Sequence, residues 1–436
     1  MSSATIIVDN ISARRVAACA GRISTTPGTA LELFRAPADE EKDVRLIRKV
    51  LSSGHRTVIE HHAITIAFDD VSVLTEQFVI EHRLASYTVK SRRYVDYSGA
   101  GFVMPETVPL EKAAEFTERM EYLFDLYTRM VEAGVPKEDA RFILPYCFRS
   151  NFYCTMNARE LAHLICSMKY GRGSVVPEIC RLGTELAQQY DAIYPGTLEK
   201  MAPAYTAAAI PAQPLRLLRG KDMPGTASLL NATTDPGKVL REAVRFTGRF
   251  DPSLDDKSLA RAIVRDIRPR ELEMLNASFS IEHMSLACLT HLTRHRMLSL
   301  LVPNVAEALR GGDFVMPASI EATEGIRDEY RKAFREQTDF AMSMLTSGMD
   351  PAEAGYMALS GHEINVHVSM NARELLHFFK LRTCRRAQWE IRGIAEEMLC
   401  ELCEYSDIYK AFGPSCAVTG SCPEGRLSCG RPVKLD

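Results

Sequence analysis

The densest group of side chains with chemical potential in this sequence is cationic. Arg294, His295 and Arg296 are consecutive, and the same half of the chain carries Arg382, Arg385 and Arg386. Guanidinium forks suit phosphates and planar acceptors, because they stay charged and offer paired donors. Asn371 and Arg382 are eleven residues apart, just over three turns of a helix, which puts them on nearly one face. Arg373 and His377 form an i, i+4 pair on a neighbouring face. With Leu375, Phe378, Phe379 and Leu381 packing inward, these polar groups would line a ligand groove. A solvated arginine face with ordinary surface ion pairs has the same spacing, and spacing alone does not choose between the two. An earlier set comprises Ser91-Arg92-Arg93-Tyr94 and Arg141, the latter in the apolar setting ARFILP. Taken alone, the first reads as a surface turn and the second as a structural ion pair.

Other chemical motifs fall away. His362 and His367 are spaced i, i+5, whereas a zincin helix needs i, i+4. Gly311-Gly312 and Gly171-Arg172-Gly173 lack the lysine and the strand-to-helix setting of a phosphate loop. Cys400-x-x-Cys403, Cys416, Cys422 and Cys429 could be imagined as a zinc or iron–sulfur site. A helix through Cys400 and Cys403 would account for their spacing by core packing, so no metal is expected, and Cys422–Gly430 reads as an extended surface tail.

The elements that must position these groups occur twice. Glu81-His82-Arg83 aligns with Arg294-His295-Arg296 at an offset of 213 residues (294 minus 81). FVMP at Phe102 aligns with FVMP at Phe314, and NAREL at Asn157 with NAREL at Asn371, offsets of 212 and 214. Gly134 aligns with Gly348, again at 214. Collinear anchors at such a period indicate two copies of one domain rather than a solenoid. The copies are expected at 1–204 and 226–436, joined by a proline-rich linker over 205–225. HHAITIAFDDVSVL suits a strand and TEQFVIEHRLAS a helix, while 110–133 and 323–347 are long amphipathic helices. Both NAREL segments open helices, with Asn157 and Asn371 near the caps, and Asp235-Pro236 starts another that runs to about Phe246. The class is α+β, two tandem homologous domains that each pack a sheet with long helices and pair as pseudo-subunits.

Residues 365–392, NVHVSMNARELLHFFKLRTCRRAQWEIR, closely resemble the signature helix of the flavin-dependent thymidylate synthases, and LTRHRMLS resembles that family's arginine-histidine-arginine motif. In the first copy, SSGHRTVIEHHAITIAF and EHRLASYTVKSRRY are similar to the family's segments from its flavin-binding histidine through its long serine-containing motif, and Phe412–Cys416 is similar to many members' endings. The resemblance covers nearly the whole chain, once per copy. It implies methylation of C5 of dUMP, with FAD as cofactor and methylenetetrahydrofolate and NADPH as co-substrates, and no cysteine nucleophile. It implies that Arg382 is the catalytic residue at the uracil ring, and that Ser91, Arg93, Arg141, His291 and Arg294 bind the substrate. FAD would be held by His55, Thr57, Glu60 and Arg83, and by Arg294, His295, Arg296, Asn371, Arg373, His377 and Arg386.

Departures from the family's pattern are complementary. The first copy keeps Ser91, Arg93 and Arg141 but has Glu81 for the first arginine of the triplet, Met168 for the arginine after NAREL and Val89 for a usual Gln or Glu. The second keeps Arg294 and Arg382 but has Asn304, Ala306 and Gly355 at the other three places, His291 for a common glutamine, and RELEMLNASFS without the His-x-x-x-x-Glu-His pattern. The family's substrate site takes one half from each of two subunits, so the copies would pair to form one live site and one dead site, with Glu81 repelling phosphate in the latter. Two chains would form a homodimer acting as a pseudo-tetramer. Alternatives are a flavin-dependent C5 methylase of another uridine nucleotide, and a flavin- or nucleotide-binding protein without turnover.

Composition agrees with an enzyme. The 436 residues are 46% hydrophobic and 25% charged, and no apolar stretch approaches the ~20 residues of a membrane span. At roughly 150 residues per domain the length alone would suggest about three domains, which the repeat reduces to two. A net charge of −3 disfavours a general nucleic-acid binder. MSSATIIVDN has no basic region followed by an apolar core, and the twelve cysteines are scattered or clustered in the tail, so a reducing cytoplasm is expected.

Overall fold

The computed structural model describes residues 1–433 except 38, 208–221 and 223. The expected linker therefore lies largely outside the described residues. Two compact units divide the chain, and both are discontinuous: Met1–Leu217 with Glu336–Leu359, and Leu218–Arg335 with Ser360–Asp436.

Each unit holds a four-stranded antiparallel sheet packed with helices, an α+β arrangement. The first is built from β1 (Ser3–Asp9), β2 (Ala63–Ser72), β3 (Ala85–Val89) and β4 (Arg149–Asn157), in the order β1-β2-β4-β3. The second comprises β5 (Thr226–Ala232), β6 (Asn276–Ser285), β7 (Ser299–Leu301) and β8 (Glu363–Asn371), in the order β5-β6-β8-β7. Alternation places Ile64, Ile66 and Phe68 of β2 in the core, as it does Phe279 and Ile281 of β6. β2 and β6 each bulge against the neighbouring central strand, at Asp70 (φ 52°) and His283 (φ 55°). Each bulged residue donates its amide N–H to an asparagine on the neighbouring strand, Asn151 and Asn365, at 2.9 Å in both cases. The repeat is thus preserved down to a left-handed residue and the side chain that satisfies it.

β2 and β6 run directly into short helices, Val73–Ile80 and Leu286–Leu292, capped by Ser72 and Ser285. A buried glutamate from a later helix clamps each cap. Glu178 accepts from the Ser72 amide and hydroxyl at 3.1 and 2.6 Å, and Glu390 from those of Ser285 at 2.7 and 2.5 Å. The NAREL segments end β4 and β8, and Asn157 and Asn371 then cap the helices Ala158–Lys169 and Ala372–Arg382. The long helices fall at Ala113–Glu132 and Ile326–Thr346, and Asp235 caps Pro236–Thr247.

Two local expectations are corrected. The helix after β2 stops at Ile80, and Ala85–Val89 is an edge strand paired with β4, because Tyr87, Thr88 and Val89 suit a pleated surface better than a further helical turn. Leu381 is 43% exposed, while Leu375, Phe378 and Phe379 are fully buried. It lies in the helix's last turn, off the arc that the other three share.

Within the first unit, residues 336–359 complete the packing around the Ala113–Glu132 helix. Arg119 donates to Gln337 at 2.9 Å, and the Phe116 and Phe340 rings lie 5.6 Å apart. The backbone amides of Tyr146 and Cys147 bond the carbonyls of Ala358 and Tyr356. Among the described residues no helix is long and apolar enough to cross a membrane.

Candidate functional site

In the second unit the Ala372–Arg382 helix begins at the sheet and ends beside the turn that follows Leu286–Leu292. That path brings Arg382 to His295. The Arg382 Nε donates to His295 Nε2 at 3.0 Å, and a terminal guanidinium nitrogen donates to the His291 carbonyl at 3.0 Å. The other imidazole nitrogen, Nδ1, lies 3.1 Å from Glu374. Since Nε2 accepts, Nδ1 carries the proton and donates to the carboxylate. His295 is 2% exposed. Burial holds its pKa below the ordinary histidine value, more than Glu374 raises it, so the neutral form that this chain of bonds requires is the stable one.

Around this core the expected residues have different fates. Arg294, Arg296, His377 and Arg386 are exposed, and Arg382 is half-buried at the helix end. His291 is buried and contributes its carbonyl to Arg382. Asn371 is committed to its cap, accepting from the Glu374 amide at 2.9 Å. Arg373 pairs with Glu273. The first unit repeats that last pairing between Arg159 and Glu60, at 2.5 Å. Glu273 therefore stands in the place of Glu60, 213 residues on (273 minus 60), in a segment whose histidines have been lost.

The first unit assembles the other expected set. Arg93 pairs with the Glu138 carboxylate, and the Arg141 Nε donates to the Glu138 carbonyl at 3.0 Å. Ser91 accepts from the Arg93 amide at 3.3 Å, so serine and both arginines are tied to one short stretch of structure. Arg92 has a different task, pairing with buried Glu76. His55, Thr57 and Glu60 lie exposed on the turn before β2, and Arg83 is half-buried, with burial pulling its pKa down. Val89 sits on the edge strand β3.

The counterparts of the second unit's cations are closed off here. Met168, at the place of Arg382, is fully buried. A Cβ added at Gly183 would lie 2.6 Å from the Met168 Cβ, so the helix Pro177–Ile193 seals this place at glycine-only distance. A Cβ on Gly173 would likewise meet Ile179, Met168 and Phe78 within 2.9 Å. Glu81 forms an ion pair with Arg172 at 2.6 Å and accepts from Gln77 at 3.1 Å, while the Arg172 guanidinium lies 4.6 Å from the Phe78 ring centre. The pKa of His82 is pushed down to about 4, first by desolvation and then by Arg172.

The partners Glu374, Glu138, Glu273 and Arg172 were not singled out from sequence. Glu374 lies within the NAREL segment itself, and Glu138 three residues before Arg141, so position relative to a motif was the available signal. One further cluster is His283, Asp313 and Glu363, whose possible ligand atoms lie within 4.8 Å of one another. The His283 Nδ1 and Glu363 already engage each other at 2.7 Å. Cys400 and Cys403 lie in the helix Trp389–Tyr405, exposed and half-buried, and Cys422 and Cys429 are exposed.

The family model of the thymidylate synthase complementing proteins matches residues 6–196 and 228–405. A flavin-dependent thymidylate synthase of Geobacter sulfurreducens is 38% identical over 168 residues, 38% of this chain and 72% of that protein. Another, from Clostridium tetani, is 30% identical over 248 residues, 50% of this chain and 98% of that protein. Among solved structures, thymidylate synthase X from Helicobacter pylori, crystallised with FAD and dUMP, aligns with a TM-score of 0.37 at 18% identity, covering 46% of this chain and all of that one.

Proposed function

The chain belongs to the family of thymidylate synthase complementing proteins, and on that footing we propose that it converts dUMP to dTMP with FAD, methylenetetrahydrofolate and NADPH. One observation carries the reading. The Arg382 guanidinium is held by His295 and His291 in one unit, while its counterpart in the other is a sealed methionine. A cation kept in place where the substrate ring would lie, and removed where the accompanying serine and arginines stand, is the pattern of one site divided between two copies.

The live site takes Ser91, Arg93 and Arg141 from residues 1–204, and Arg294 and Arg382 from residues 226–436, with 205–225 as linker. The second site is dead. Each chain then supplies one substrate site, and a cytoplasmic homodimer acts as a pseudo-tetramer with two.

Arg382 stabilises negative charge on the uracil ring as C5 is activated. A guanidinium pinned at two nitrogens reorganises little, which is the condition for effective electrostatic stabilisation. Arg294, Arg93 and Arg141 hold the phosphate and ring oxygens, with Ser91 donating to the phosphate. The donor set fits a flavin dinucleotide: Arg296 and Arg386 form an exposed cationic surface that would meet its diphosphate, and His377, His55 and Thr57 would add polar contacts. Arg373 and Glu60, each in an ion pair, bind it by exchanging or sharing those partners. A flavin held by these residues would supply, in its reduced form, the hydride for the reaction.

The test is dTMP formation by the purified protein given dUMP, methylenetetrahydrofolate, NADPH and FAD. Failure to form product despite bound flavin overturns the reading, and UMP in a parallel assay identifies a methylase of another uridine nucleotide.

A further inference from the structure

The first unit contains a two-lobed cavity that none of these roles uses. It lies among the helices Ile11–Ile23, Glu40–Ser52 and Thr197–Ala207. One lobe, of about 180 Å³, is walled by Ile47, Leu51, Ile193 and Tyr194. The other, of about 300 Å³, carries Arg48, Arg56 and Lys200, with Glu199 as the only acid in its lining. Thr197 lines both lobes.

Two features mark this cavity as suited to a ligand. Thr197 is 5% exposed, yet its hydroxyl has no hydrogen-bond partner among the described residues. A buried hydroxyl left without a partner is destabilising by about 1–3 kcal/mol, and folded proteins seldom keep one. Arg48, Arg56 and Lys200 form no ion pair among the described residues, whereas Arg14 and Arg15 at the apolar lobe are neutralised by Asp9 and Asp43. The excess charge is therefore concentrated in the polar lobe.

We propose that this cavity is a second ligand site, which takes a multiply charged anion bearing one apolar ring. The ring enters the aliphatic lobe, and the anionic groups meet Arg48, Arg56, Lys200 and the Thr197 hydroxyl. Three cations without an ion pair among the described residues, against the single acid Glu199, favour a ligand with at least two negative charges. Nucleoside polyphosphates and aromatic polycarboxylates share this chemistry. The site stands independently of the proposed methylation, although Arg56 falls between His55 and Thr57, so flavin retention belongs in the readout.

The experiment is calorimetric titration of the full-length, flavin-loaded protein with ATP, with 1,2,4-benzenetricarboxylate, and with inorganic tripolyphosphate as a ringless anion. At least one ringed anion is expected to bind, at least about tenfold more tightly than tripolyphosphate, with no loss of flavin absorbance. ATP alone points to the nucleotide source and benzenetricarboxylate alone to the carboxylate source. The double variant Arg48→Ala/Lys200→Ala should weaken binding by at least about tenfold, and Val44→Trp, which fills the apolar lobe, should abolish it. If the tryptophan variant lowers Tm, the double variant carries the test, since both its residues are exposed. The proposal is overturned if neither ringed anion binds at about 1 mM. Equal binding of tripolyphosphate, indifference to Arg48→Ala/Lys200→Ala, or release of flavin by the probe would overturn it as well.

Discussion

Arg382 donates its Nε–H to His295 Nε2 at 3.0 Å, across 87 residues of chain. The bond requires a neutral imidazole with its proton on the far nitrogen: burial keeps the ring neutral, and Glu374 accepts the proton's hydrogen bond at Nδ1. His295 is thus a positioning residue for the arginine at the centre of the proposed chemistry. Replacing His295 with alanine should lower kcat by about 10–100-fold and leave the substrate KM less affected, as removal of an orienting partner typically does. Arg382→Lys should lose more, about a hundredfold or beyond, because an ammonium cannot hold both contacts of the guanidinium. Steady-state kinetics on the two variants separates positioning from charge, and a wild-type kcat for His295→Ala would remove the role assigned to the histidine.

A division of one site between the copies has an asymmetric consequence. Ser91→Ala should cripple dTMP formation, whereas Glu81→Ala should be tolerated. Glu81 is bound to Arg172 in a partly exposed ion pair, so its loss should cost no more than about 1 kcal/mol of stability. If Glu81→Ala damages activity as severely as Arg382→Ala, two sites are at work rather than one.

The seal over Met168 can be probed through stability alone. A Cβ at Gly183 would sit 2.6 Å from the Met168 Cβ and 3.2 Å from the Lys169 backbone nitrogen. Gly183→Ala should therefore destabilise the fold by about 1–3 kcal/mol through overpacking. Denaturant melts of Gly183→Ala, compared with Gly99→Ala, where an added Cβ meets nothing within 4 Å, measure the difference.

Acid should weaken the fold before most carboxylates titrate. His62, His82 and His295 all have pKa values held below the ordinary histidine value by burial, His82 down to about 4. The unfolded chain takes up these protons near pH 6.5, while the native state resists them, so the unfolded state binds more protons in this window. Stability is therefore full above about pH 6.5 and falls as pH drops toward about 4. Urea denaturation at a series of pH values should show the decline beginning between about pH 7 and 6. Replacing His82 with glutamine, which cannot charge, should make that part of the curve shallower.

Local chemistry determined much of this protein by itself. Asn157 and Asn371 cap helices because a short side chain at a strand's end can accept from the third following amide, and that needs no distant partner. The two copies, the identity of their anchors and the exchange of Arg294 for Glu81 and Arg382 for Met168 are likewise written in the order of residues. Other features depended on neighbours that no periodicity records. Residues 85–89 became strand because β4 offered an unpaired edge. Leu381 turned outward because its helix buries a narrower arc than its composition implies. Residues 336–359, which belong to the second repeat by sequence, joined the first unit. Helical spacing could place Arg382 and Asn371 on one side of a helix, but only tertiary packing could bring His295 to the arginine, set Gly183 against Met168 and leave a space beside Thr197. A pattern specifies which face of an element is apolar or charged, whereas the identity of what covers that face is set by contacts between distant parts of the chain.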